Sequence, residues 1–144
     1  MNIAVTYYSR TRNTKKIAEA IAEAAGCTAQ DIAAFDAQDT VVLLFVGGAI
    51  YGGVIDPSLT EFIAQLDPAK IKRAAVFGTS VSEQGFGKAN GQIKDALRSR
   101  GISTEDEDFT AKGKFLFMSR KRPNAADMNE AKEFAAHIIN KNLG

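Results

Sequence analysis

Thiols are nearly absent from this 144-residue chain: Cys27 stands alone, which excludes an internal disulfide and any multi-thiolate zinc or iron–sulfur site. No apolar run approaches the ~18 residues that a membrane span needs. The opening MNIAVTYYSR lacks the basic region and long apolar stretch of a secretory leader. An excess of either charge is also missing, since 18 Lys and Arg oppose 17 Asp and Glu for a net +1. That balance suits neither a nucleic-acid binder nor a strongly acidic protein. No loop ends in GK[ST] and no GxGxxG turn occurs, so nucleoside triphosphates are disfavoured. A soluble, cytoplasmic chain is expected, with no nucleic acid and no membrane insertion among its partners.

What is present suffices for one good core. At 45% hydrophobic content, residues 1–144 read as a single domain. Asn2–Tyr7 reads as a β-branched strand and Thr14–Ala25 as a helix with Ile17, Ile21 and Ala24 at helical spacing, stopped by Gly26. Cys27–Phe35 is assigned to a second strand. Thr40–Val46, a continuous apolar run, has the pattern of a central parallel strand covered on both faces. Pro57 opens a helix with Leu59, Phe62, Ile63 and Leu66 on one side, ended by Asp67-Pro68. Ala74–Phe77 is the next strand, followed by a helix around Ile93, Ala96 and Leu97 that closes at Gly101. Ile102–Thr110 carries Glu105, Asp106, Glu107 and Asp108 and reads as an edge strand. The last helix has Asn124 as N-cap, Asp127 in its first turn, and Met128, Ala131, Ala135 and Ile138 on one face. This alternation implies an open parallel sheet with helices on both faces.

In such sheets ligands bind beyond the carboxyl ends of the strands, near the point where strand order reverses. Three loops belong there. The first, SRTRNT, offers Ser9, Arg10, Thr11, Arg12, Asn13 and Thr14: hydroxyls, an amide and two guanidiniums beside the free N–H groups of a helix start, all suited to a phosphate. The same residues also suit a plain helix cap, by Thr11 or Asn13, with the arginines in solvent. The second, GGAIYGG, runs from Gly47 through Gly48, Ala49, Ile50, Tyr51 and Gly52 to Gly53; its glycines allow close approach of a flat ligand and Tyr51 offers a stacking ring. Tyr51 reads equally as a half-buried loop residue. The third, GTSVSEQGFG, contributes Gly78, Thr79, Ser80 and Gly85, while Phe86 reads as core. His137 is assigned to a helix surface or a partly buried place, Cys27 to a small buried position, and the EDED and SRKR runs at 105–108 and 119–122 to solvated faces, each of which could also dock a partner of opposite charge. No catalytic and no metal-binding residue is assigned.

Over nearly its whole length the sequence resembles the short-chain flavodoxin family. That family's first loop follows S/T-x-T-G-N-T, matched here by Ser9, Thr11, Asn13 and Thr14, with Arg12 in place of the glycine. A left-handed backbone at Arg12 would cost on the order of 1 kcal/mol. Gly47 and Tyr51 stand at the family's second-loop glycine and aromatic, and Gly52 at the residue whose carbonyl serves the reduced flavin. KRPNAADMNEAKEFA is similar to a segment preceding the last helix in many flavodoxin-like proteins. The resemblance implies a flavodoxin-like three-layer sandwich, with five strands in the order 2-1-3-4-5, and FMN as cofactor. It also implies electron transfer to a redox partner protein, a reductase or an acceptor enzyme. Two alternatives stand beside it: a flavin-dependent reductase acting directly on a quinone, porphyrin precursor or similar flat substrate, and a flavin-free binding module on the same fold.

Overall fold

The computed structural model describes residues 2–10, 12–51, 53–80, 87–112 and 125–143. In chain order its elements are β1 (Ile3–Tyr7), α1 (Asn13–Ala25), β2 (Ala29–Asp31), β3 (Val41–Tyr51), β4 (Val54–Ile55), α2 (Pro57–Ala64), β5 (Ile71–Ser80), α3 (Lys88–Ser99), β6 (Thr104–Lys112) and α4 (Ala125–Leu143). The main strands lie in the order β2-β1-β3-β5-β6, all parallel, with β4 paired antiparallel to β3. Counting the five parallel strands alone, this is the expected 2-1-3-4-5 sheet.

The two-residue period of β3 sorts its side chains between two cores. Leu44 and Val46 enter one with Leu59 and Ile63 of α2 and Ile93 and Leu97 of α3. Leu43 and Phe45 enter the other with Ile17 and Ile21 of α1 and Ala131, Ala135 and Ile138 of α4. Leu43–Val46 are thus buried on both faces of the sheet, which directs a ligand to the ends of the strands.

Sequence expectations need correction at several points, among them Gly78–Ser80, which belong to β5 rather than to a loop. The strand placed at Cys27–Phe35 is reduced to Ala29–Asp31, because Asp31 Oδ1 takes the Ala33 N–H at 2.9 Å and its carbonyl takes that of Ala34 at 2.8 Å, folding the chain into a turn. Cys27 instead completes the end of α1: Gly26 sits at φ 73°, its N–H reaches the Glu23 carbonyl, and the Cys27 N–H reaches that of Ala22. The stretch Gly47–Tyr51 is strand rather than loop. Its glycines are there for packing: a Cβ on Gly47 would lie 2.1 Å from the Phe77 ring, and one on Gly48 would lie 2.5 Å from Leu59. The positive-φ Gly53 then turns the chain into β4. Asn124 and the run 119–122 lie outside the described residues.

β6 is the edge strand, and its acidic run is not simply solvated. Glu105, 2% exposed, accepts from Arg73 Nε at 2.6 Å, Asn142 Nδ2 at 2.9 Å and Lys141 Nζ at 3.0 Å. Glu107 pairs with Lys141 and His137, and Asp108 with Lys94. Burial pushes the Glu105 carboxyl up, but the bonds from Asn142, Arg73 and Lys141 outweigh it and bring it from 4.5 down to about 2. A carboxylate with a depressed folded pKa stabilises the fold fully above its unfolded value. That contribution drains away as pH falls from about 4.5 toward 2. Glu105→Gln should therefore cost roughly 1–3 kcal/mol at neutral pH, and urea melts of the two proteins should converge as pH approaches 2.

Candidate functional site

At the carboxyl edge of the sheet, β1 ends at Tyr7, and Ser9 and Arg10 lead into α1. Arg12 occupies the N-cap position at φ 69°, ψ −3°, and its carbonyl receives the Lys16 N–H at 3.0 Å. It is the only non-glycine with positive φ among the described residues. The left-handed turn is thus kept although arginine stands at it. Arg12 makes no side-chain cap bond and no acidic residue lies in the first turn of α1, so among the described residues no side chain caps the helix and its first N–H groups face no carboxylate of that turn.

Two further groups there lack partners. Ser9 Oγ and Asn13 Oδ1 are buried without a hydrogen bond. A buried hydroxyl with nothing to bond is costly, and Ser9 can donate to an anion. For Asn13 only the NH2 end of the amide suits an anion, and which end faces it is an assignment of the hydrogen-bond network. Thr14, 1% exposed, is already engaged: its hydroxyl shares a 2.9 Å bond with that of Thr79 on β5. That bond ties the first loop to the third. These residues fit a phosphate monoester.

Arg10, Tyr51 and Asp56 form a second group. The Arg10 guanidinium carbon lies 3.9 Å from the Tyr51 ring centroid. Its Nη2 pairs with Asp56 Oδ2, and its backbone N–H donates to the Tyr51 hydroxyl at 3.1 Å. Asp56 uses its other oxygen to cap α2, accepting the Ser58 N–H at 2.8 Å. The Arg10 bond and then the Ser58 N–H hold the Asp56 carboxyl below its ordinary range, and Asp56 in turn raises Arg10. Burial pushes the Tyr51 phenol up, against the lowering influence of Arg10.

The remaining predicted residues are placed by the sheet. Gly48 pairs with Gly78 and Ala49 with Thr79, Ile50 opposes Ile55, and Ser80 ends β5. Gly48 and Gly78 are excluded from side-chain roles by definition, and each accommodates a neighbour: Leu59 over Gly48, and Asn90 Oδ1 where a Gly78 Cβ would lie at 2.5 Å. Thr11, Gly52 and Gly85 lie outside the described residues. Two participants escaped the sequence reading. Asp56 had a visible signal, an aspartate directly before the Pro57 that opens a helix. Asn90, 1% exposed, donates to the Phe109 carbonyl at 3.0 Å and to Thr110 Oγ1 at 2.8 Å, and nothing local distinguishes it.

Comparison with known proteins agrees with this geometry. A family model described as a flavodoxin domain matches residues 4–119. An uncharacterized protein of Methanocaldococcus jannaschii is 27% identical over 138 residues, covering 89% of this chain and 91% of the relative. Among solved structures, a flavodoxin from the domain Archaea superposes with a TM-score of 0.82 at 20% identity over 100% of both chains. Oxidised flavodoxin 2 from Bacillus cereus does so with a TM-score of 0.78 at 20% identity, over 98% of this chain and 99% of its own.

The strained turn makes a testable point. Arg12→Gly removes the left-handed penalty at the price of a more flexible unfolded chain, and the net stabilisation expected is about 0.5–1 kcal/mol, read as a higher urea midpoint. Arg12→Val, β-branched at the same φ, should lower the midpoint instead.

Proposed function

We propose, from the premise that this chain belongs to the flavodoxin family, that it binds FMN and delivers electrons to a dedicated redox partner protein in the cytoplasm. One observation carries the reading: among the described residues no side chain caps the start of α1, and beside it the Ser9 hydroxyl is buried with no partner. Helix N–H groups and a hydroxyl donor are the groups that a phosphate uses. The family supplies the cofactor that carries such a phosphate.

In this reading Ser9, the N–H groups of the first turn and the Asn13 amide hold the phosphate, with Arg12 as its counter-charge. Thr14 holds the loop against Thr79. Tyr51 supplies the aromatic surface, and the backbone of Gly48–Ile50 and of Gly78–Ser80 forms the floor. Thr11, Gly52 and Gly85 belong to the same proposal by sequence alone. When bound, FMN supplies the one- or two-electron chemistry, so the chain itself needs no catalytic acid or base. Its residues bind, orient and set the charge around the ring.

Four exposed cations, Arg12, Lys15, Lys16 and Lys88, stand at the starts of α1 and α3. A phosphate monoester brings about −2, which leaves this edge positive and favours a partner with an acidic face.

Titration of ligand-free protein with FMN should quench the flavin fluorescence at a 1:1 stoichiometry and perturb the flavin absorbance bands. Unchanged spectra at high protein concentration would refute the proposal and favour a flavin-free module. With FMN bound, mixing with NADH or NADPH and a quinone should give no steady turnover. Sustained turnover without any added protein would assign a reductase instead.

A further inference from the structure

We infer that Arg10, pinned by Asp56 against the ring of Tyr51, is a fixed positive charge that tunes the reduction potential of the ligand stacked on that ring. The inference rests on the FMN reading above and deepens it. It concerns a residue that the family's loop pattern leaves unspecified.

Three contacts hold Arg10 in place, and they reach both ends of Tyr51. The guanidinium covers one ring face at 3.9 Å, while the Arg10 backbone N–H holds the phenol oxygen at 3.1 Å. The third contact is the ion pair with Asp56. An exposed ion pair alone would be a weak restraint. Asp56, however, is only 8% exposed and is fastened to the first turn of α2 through Ser58. The anchor therefore belongs to the fold rather than to a mobile surface side chain.

Because a planar ring has two faces and the guanidinium occupies one, a stacked ligand is left with the other. It would then lie one ring thickness from a cation. The negative end of the Arg10–Asp56 pair sits at the start of α2, where helix N–H groups balance it. The positive end remains at Tyr51. Adding electrons to a stacked ring makes it more negative, so this charge favours the reduced form over the oxidised one. Asp56 acts through Arg10 and is a positioning residue.

Potentiometric titration of the FMN complex tests the inference. Arg10→Met should shift the midpoint potential downward, weakening the binding of reduced FMN relative to oxidised FMN by about tenfold. Arg10→Lys, which restores the charge without the planar contact, should recover part of the shift, and Arg10→Gln serves should the Met variant fail to fold. A second readout needs no flavin: in ligand-free protein, the Tyr51 phenol, identified by its loss in Tyr51→Phe, should titrate higher in Arg10→Met than in wild type. An unchanged midpoint potential in variants that bind FMN overturns the inference while leaving FMN binding intact. An unmoved Tyr51 titration overturns the clasp on which it stands. Failure of the wild-type protein to bind FMN refutes the underlying reading, and the tuning role falls with it.

Discussion

A strand as apolar as Val41–Val46 has to be covered on both faces, and that requirement organises the rest of the molecule. Parallel neighbours need crossovers, the crossovers are helices, and the helices fill both faces. The faces taken, a ligand is directed to the edge where β1 and β3 hand the chain to α1 and the β4 hairpin and where β5 ends. Arg10 meets Tyr51 there, and Thr14 meets Thr79, although the partners come from distant parts of the sequence. The close contact of Phe77 with Gly47 is part of the same constraint, because it lets β3 and β5 stay in register up to the residues that carry the site.

Within the site, two tethers divide the work. The Thr14–Thr79 hydroxyl bond joins the first loop to the third from inside the protein. The Arg10–Asp56 pair joins it to the beginning of α2 from outside. Between them the first loop is held on two sides while, among the described residues, the Ser9 hydroxyl has no partner and no side chain caps α1. Holding the loop while withholding partners from its donors is preorganisation: ordering is complete before a ligand arrives, so less of the binding energy is lost to it. Arg12 is the point of tension in that scheme, since a glycine would adopt its backbone conformation without strain.

Strand order and the helix faces were legible in the sequence because each depends on local periodicity and on the general behaviour of parallel sheets, and the same behaviour is what directs the proposed site to the carboxyl edge. The failures have specific causes. Glycine pairs ordinarily announce a turn, so Gly47-Gly48 was read as loop. Their true cause, the Phe77 and Leu59 side chains, is a contact across the chain that no local pattern carries. Asp31 cut β2 short by bonding its own following backbone, a choice that strand propensity does not foresee. The partnership of Arg10 with Asp56, 46 residues apart, is likewise invisible until β3 and β4 bring the two together. Tyr51 was found as a ring, but not as a ring with one face already taken.

The acidic run on β6 has a consequence at the level of assembly. A terminal parallel strand displays a row of backbone donors and acceptors that another chain could extend. Here Glu105, Glu107 and Asp108 are each cross-linked by ion pairs to α3, α4 or β5. An incoming strand would have to lie beside this row of fixed charges and strip water from the exposed Asp106 among them. The same residues that clamp the last strand to its helices thus mark where the sheet stops growing.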